Sequence, residues 1–205
     1  MNPIDRRQFA AGILASSLTP ASAQPAPPAP EHFVLQPNGW IPNNLHLPVL
    51  LYRSTFPPAD PEKTASAMEH AFTTNGWPPQ WRDGIYTFHH FHSTAHEILG
   101  IAAGEVHVLL GGPLIGPAIG GRDLTLRAGD VVALPVGTGH CSLHASPDLL
   151  VIGAYPTGEH WDICRTAPSP ETIERMRHIA FPASDPVHGR SGPLPSLWRS
   201  TQPSI

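Results

Sequence analysis

Cysteine is scarce in this chain, with 2 among 205 residues, which excludes a disulfide framework as the source of its stability. Charge is thin as well. Only 14% of residues are charged, 12 basic against 16 acidic, and no run of Lys or Arg is present to track phosphates, so nucleic acid is excluded as a partner. No apolar stretch is long enough to span a bilayer as a helix, no HEXXH marks a zincin, and no internal repeat is evident. Turn-forming residues, by contrast, are plentiful. With 26 Pro, 18 Gly and 40% hydrophobic residues, the composition argues for one all-β domain of many short elements rather than long helices.

Between Gly84 and His144 lie two motifs that share one chemistry. The first reads Gly84, five residues, His90, one residue, His92, four residues, Glu97, six residues, Gly104. The second reads Gly129, five residues, Pro135, one residue, Gly137, two residues, His140. Five fixed positions in the first alone match by chance at roughly one start in a million on compositional base rates. Three imidazoles and one carboxylate are the borderline-nitrogen and hard-oxygen donors that suit a divalent first-row metal with positions left open. His90 and His92 are two apart, so on a strand both point to one face, and Glu97 arrives across the polar turn Ser93-Thr94. Gly104 and Pro135-Val136-Gly137 set the turns.

Histidine is abundant, at 13 residues, so each candidate has to be weighed against an ordinary structural role. His89 faces away from the ligand row and His107 has no motif partner, so both read as structural. His96 adjoins Glu97, and a one-residue slip of the turn would exchange the two between inside and outside. The six-residue spacing to Gly104 favours Glu97 as the ligand. Cys141 and Cys164 permit one disulfide, with Cys141 facing out of the barrel if His140 faces in.

The first residues read as an address. Asp5-Arg6-Arg7-Gln8-Phe9 resembles the twin-arginine export motif, Ala10 to Leu18 forms a short weakly apolar run, and Ala21-Ser22-Ala23 is a small-residue cleavage site. The expected organisation is a signal peptide over 1–23, a proline-rich leader over 24–37, a barrel over 38–160, and a C-terminal helix with an irregular tail over 161–205. The localisation expected is periplasmic or secreted, bacterial, with no stable membrane insertion after processing.

Within the mature chain, Leu45 to Tyr52 reads as an edge strand. Asp60-Pro61 opens a helix that Asn75-Gly76 closes, and Trp77 to Gly84 is expected as a loop. Strands are expected at Ile85 to Phe91, His96 to Ile101, Glu105 to Leu110, Asp123 to Leu126, Asp130 to Leu134, His140 to His144 and Leu149 to Tyr155. Ser169-Pro170 opens a second helix running to about His178, and the tail from Phe181 is expected to be irregular.

The two motifs resemble the signature of the cupin superfamily. His90-Phe91-His92-Ser93-Thr94-Ala95-His96-Glu97, Gly153-Ala154-Tyr155-Pro156, Trp161-Asp162, Asp185-Pro186-Val187-His188-Gly189 and Gly192-Pro193-Leu194 to Trp198 are similar to the YjlB-like group of small single-domain cupins. That resemblance runs from about Asn38 to Trp198. It implies a double-stranded β-helix with two short flanking helices, and metal binding at His90, His92, Glu97 and His140. A homodimer is compatible with it. Where many cupins carry Asn four residues after the last metal His, this chain has His144, a group suited to hold the ligand shell or relay a proton.

Three functions remain open from sequence. One is a metal-dependent oxidoreductase, dioxygenase-like, acting on a small molecule, with iron or manganese favoured. Another is an isomerase or lyase in which the metal polarises a carbonyl and His96 or His144 acts as base. The third is a non-catalytic cupin holding a metal or small ligand. Zinc, nickel and copper also suit the donor set. Export of an already folded protein would let iron or manganese be loaded before the chain meets competing copper and zinc.

Overall fold

The computed structural model describes residues 29–57, 59–112 and 121–200. The export address expected over 1–23 lies outside these residues. Two antiparallel sheets face each other. The larger has the strand order β1-β2-β7-β4-β9-β3 and the smaller β6-β5-β8, with β1 Glu31–Phe33, β2 Val49–Tyr52, β3 Pro79–Asp83, β4 Glu97–Ala103, β5 Glu105–Leu110, β6 Arg122–Arg127, β7 Val131–Leu134, β8 His140–Ala145 and β9 Leu150–Ala154. This is the double-stranded β-helix that the motifs implied.

The central strands of the larger sheet are buried on both faces, which is why they read as unbroken apolar runs such as Val49-Leu50-Leu51-Tyr52 and Val131-Val132-Ala133-Leu134. One face, with Leu51, Leu99, Ile101, Val132 and Val151, meets Val106, Val108 and Leu110 of the smaller sheet and fills the barrel. The other face, with Leu50, Ile98, Ala133 and Ile152, is covered by Met68 and Phe72 of α1 (Pro61–Thr74) and by Leu194 and Trp198 of α3 (Leu194–Ser200). Gly100 makes the α1 contact possible, because a Cβ there would sit 3.0 Å from Met68 Sδ and the Phe72 ring. α1 starts as expected, with Asp60 Oδ1 accepting from the Glu62 and Lys63 amides and Pro61 in the first turn. α2 (Pro170–Arg177) likewise begins after Ser169, whose hydroxyl accepts from Thr172 N.

Five local expectations need correction. The segment expected as a loop contains β3, whose Trp81 and Arg82 pair with Gly153 and Ile152 at the sheet edge. The strand expected over Ile85 to Phe91 is not regular; only His90 and Phe91 form bridges, to His140 and Cys164. The tail contains α3, so among the described residues the barrel is flanked by three helices instead of two. Its Leu194 and Trp198 are fully buried, and a Pro-rich sequence hid that amphipathic turn. β1 forms within the stretch expected as a leader and pairs with β2. Finally, β2, expected as an edge strand, lies between β1 and β7.

Candidate metal centre

Three backbone contacts put the histidines in place. The amides of His90 and His140 each donate to the other's carbonyl at 3.2 and 2.9 Å, which sets β8 beside the first motif. Gly137 N donates to His92 O at 2.9 Å, and Gly137 has the positive φ of 87° that the Pro135-Val136-Gly137 turn demands. Phe91, between the two ligand candidates, points the other way and packs with Val136 and Met176. The alternation expected from sequence therefore holds although the segment is not a regular strand. His90, His92 and His140 are buried, and one ring nitrogen from each lies within 4.8 Å of the others.

Their tautomers are fixed from behind. His90 Nδ1 faces the Phe88 carbonyl at 3.2 Å, His140 Nδ1 faces the Thr138 carbonyl at 3.1 Å, and His92 Nδ1 closely approaches the Asp162 carbonyl. A carbonyl only accepts, so each Nδ1 carries the proton and each Nε2 presents a lone pair to the centre. Glu97 completes the group: its Oε1 is 3.2 Å from His92 Nε2 and its Oε2 is 3.2 Å from His140 Nε2. Lone pair then faces lone pair. Consistent with this, His92 Nε2 and Glu97 Oε2 are buried with no aligned hydrogen-bond partner. Such an arrangement asks for a cation at its middle, and three imidazoles with one carboxylate fit a divalent first-row metal.

Electrostatics agree. Burial, with His140 and His92 adding to it, holds the His90 imidazole down at about 3, so it stays neutral. Burial alone would push the Glu97 carboxyl up, but His92 and His140 outweigh it and hold the group well below the usual carboxylate range. Burial also pulls His92 down, and the Glu97 charge reverses that to a net rise. The carboxylate charge that raises His92 is the charge a metal ion would meet there, so protonation of His92 and metal binding compete.

Outer contacts orient the carboxylate. Tyr155 Oη donates to Glu97 Oε1 at 2.6 Å and accepts from Trp81 Nε1 at 2.8 Å. Gly153 is the residue that lets Trp81 lie against β9, since an added methyl would overlap the indole. Asp162 holds the turn between ligands, accepting at 2.6 Å from both Ser93 N and Ser93 Oγ while its own carbonyl orients His92. The sequence reading did not find Tyr155, Trp81 or Asp162 as supporting groups. Tyr155 and Asp162 lie 58 and 70 residues from the groups they touch, so only the fold reveals them.

The centre opens into a cavity of about 100 Å³ walled by Trp81, Ile85, Leu99 and Tyr155, with Tyr86 and Trp161 at its mouth. Tyr86 and Trp161 are 48% and 36% exposed, and Trp161 stacks on Tyr155 with ring centroids 6.0 Å apart.

The two expected proton-transfer residues are elsewhere. His96 points to the opposite face from Glu97, where its Nδ1 accepts from Val136 N at 3.0 Å and its ring packs 4.6 Å from Trp198. The register that favours Glu97 is therefore the one adopted. His144 is exposed beside His107, with ring centroids 6.2 Å apart. Simple alternation from His140 would turn it inward, but β8 carries one extra residue: Ser142 pairs with Val108 and His144 with His107, leaving Leu143 unmatched. That bulge reverses the alternation. His89, expected to face away, does so; its Nε2 lies 3.3 Å from Cys141 Sγ. Cys141 and Cys164 are free thiols, and Cys141 is buried against the barrel wall.

No family model matches the chain. It is 32% identical over 163 residues to the uncharacterized protein YjlB of Bacillus subtilis (strain 168), covering 78% of this chain and 92% of that one. Among solved structures it is similar to an 11S globulin from Wrightia tinctoria, at TM-score 0.33 and 19% identity over 40% of this chain and 21% of that one. It is also similar to a variant of Bacillus subtilis oxalate decarboxylase, at TM-score 0.33 and 18% identity over 64% of this chain and 32% of that one. The chain spans about a third or less of the length of those two structures.

Proposed function

Because the chain belongs to the family of YjlB, we propose that it is a metal-binding cupin in which His90, His92, His140 and Glu97 hold one divalent ion, and that it acts as a metal-dependent oxidoreductase on a small molecule. The observation that carries this reading is the set of three Nδ1-protonated imidazoles with ring nitrogens within 4.8 Å of one another, two of them 3.2 Å from the buried Glu97 carboxylate. A redox-active ion held there supplies electron-transfer chemistry towards dioxygen and an organic substrate. The chain's own residues do the rest. Glu97, fixed by Tyr155, places the negative charge; Trp81, Ile85 and Leu99 exclude water; Tyr86 and Trp161 offer flat faces to an entering molecule.

The isomerase or lyase reading loses support because His96 and His144, its candidate bases, lie outside the cavity. Asp83, the carboxylate left in the cavity wall, is exposed and accepts from Gly84 N. The test is metal analysis of protein from its native compartment, followed by oxygen uptake against a panel of small acids and phenols. Iron or manganese with substrate-dependent oxygen uptake supports the oxidoreductase. Zinc without oxygen uptake moves the assignment to simple binding.

The compartment is proposed to be periplasmic or extracellular, resting on Arg6-Arg7 and Ala21-Ser22-Ala23. No described helix is long and apolar enough to cross a membrane. Replacing Arg6 and Arg7 by Lys is expected to retain the protein in the cytoplasm, and unchanged export would remove the twin-arginine reading.

A further inference from the structure

Each of the two rings at the mouth of the metal cavity packs edge-on against a ligand imidazole. Tyr86 meets His90 with ring centroids 5.3 Å apart, and Trp161 meets His92 at 5.8 Å. Both are held from behind: the Tyr86 carbonyl accepts from Ser142 N at 2.8 Å, and Trp161 stacks on Tyr155. A molecule that reaches the three histidines therefore passes these rings. The cavity, at about 100 Å³, is smaller than the roughly 150 Å³ that takes up a benzene ring, so a short aliphatic chain fits inside better than an aromatic one.

Fixed charge on the walls has one sign. Among the described residues the lining includes two carboxylates, Glu97 and Asp83, and no Lys or Arg. Glu97 faces His92 and His140 and is committed to the ion. Asp83, the last residue of β3, is exposed, accepts from Gly84 N at 2.7 Å, and enters no ion pair among the described residues. Ring faces beside an unpaired carboxylate attract cations, and the neighbouring ring already holds one: the Arg165 guanidinium lies 4.0 Å from the centre of Phe88, which stacks on Tyr86 at 4.7 Å. Arg165 itself is no part of the cavity wall. A primary ammonium brings three donors to satisfy, whereas an alkylated ammonium brings none and is matched by ring faces.

We propose, on the strength of the metal-binding reading above, that the substrate is a short aliphatic alcohol carrying an alkylated ammonium group, with its hydroxyl end towards His90, His92 and His140 and its cation against Tyr86 and Trp161 beside Asp83. An anionic group at that outer end is disfavoured, because it would meet the Asp83 carboxylate with no cationic side chain in the wall to offset it.

Choline, 3,3-dimethylbutan-1-ol and 2-hydroxyethanesulfonate share a hydroxyethyl head and a tetrahedral tail, and differ in the charge of that tail: positive, neutral and negative. Each is titrated into the full chain loaded with cobalt(II), with binding read by calorimetry and by the fluorescence of Trp81 and Trp161 in the cavity wall. Choline is expected to bind saturably and about tenfold more tightly than its neutral isostere, through the ring faces and the carboxylate together, and 2-hydroxyethanesulfonate more weakly than either. Asp83→Asn, which can keep the bond from Gly84 N, and Trp161→Leu, at a partly exposed ring, should each cut the preference for choline to about threefold with cobalt content unchanged. Absence of saturable choline binding, choline bound no more tightly than the neutral alcohol, the sulfonate bound as well as choline, or a preference that survives both substitutions would overturn this substrate class. Any of these in a protein that takes up cobalt leaves the metal reading standing; a protein that takes up no cobalt overturns the metal reading and this proposal with it.

Discussion

Tyr155→Phe removes one oxygen and keeps the ring that stacks on Trp161. That oxygen donates to Glu97 Oε1 at 2.6 Å and accepts from Trp81 Nε1 at 2.8 Å, so two bonds are lost at once. A hydrogen bond to a buried carboxylate contributes about 1.5–3 kcal/mol, and the orphaned indole N–H adds about 1 kcal/mol, for a total near 3 kcal/mol. In a domain of this size each kcal/mol moves the melting temperature by about 2–4 °C, so the metal-free variant should melt about 6–12 °C below wild type. Loss of the group that orients a ligand carboxylate should also weaken metal binding about 10–100-fold. Thermal unfolding followed by circular dichroism, together with chelator competition for zinc, reads both effects. A variant that melts within about 2 °C of wild type and binds metal equally well would refute the role given to the Trp81–Tyr155–Glu97 chain.

Other outcomes follow from the same geometry. His90→Ala and His140→Ala should each abolish stoichiometric metal binding while His89→Ala retains it, as read by metal analysis after gel filtration; equal loss in all three would remove the ligand assignment. His96→Gln should keep the metal but lower stability by about 2 kcal/mol, through the Val136 N–H left without its acceptor and the lost packing on Trp198. His144→Ala, outside the bulge, should leave both metal content and the urea midpoint unchanged within about 0.5 kcal/mol. Burial holds His90 and His96 at about 3 against an ordinary value of 6.5, so unfolding takes up protons between those limits. The metal-free protein should therefore lose stability as pH falls from about 6.5 towards 3, with Glu97 adding to the loss as its depressed carboxyl is protonated. His92 has the opposite sign: its contribution is present below 6.5 and fades as pH rises through its raised pKa. Urea midpoints across that range that stay flat, or rise on acidification, would contradict this.

How much of this was legible in the sequence follows from how local each signal is. The inward pair His90 and His92 needed only the two-residue alternation of an extended chain, and that survived even though the segment is not a paired strand. α1 and α2 were readable because Asp60-Pro61 and Ser169-Pro170 carry their own caps. The fate of His144 was not readable: one unmatched residue, Leu143, reverses its face, and the sequence around it looks like any strand. β3 was hidden by Pro79 and by charges at Arg82 and Asp83, which an edge strand tolerates and a central one does not. Trp198 and Leu194 announced no helix, because their burial depends on the sheet face that α3 covers. Tyr155, Trp81 and Asp162 support the ligands across long separations, and no spacing rule reaches that far.

The central claim is that three Nδ1-protonated imidazoles and Glu97 form one divalent-metal site. Cobalt(II) titration of the metal-free protein, followed by visible absorption and by proton release in weak buffer, tests it most directly. The account predicts saturation at about one ion per chain, with proton release that grows as pH is lowered through the raised pKa of His92, and loss of both signals in His92→Ala. Absorption that fails to saturate, or that persists unchanged in His92→Ala, would contradict it.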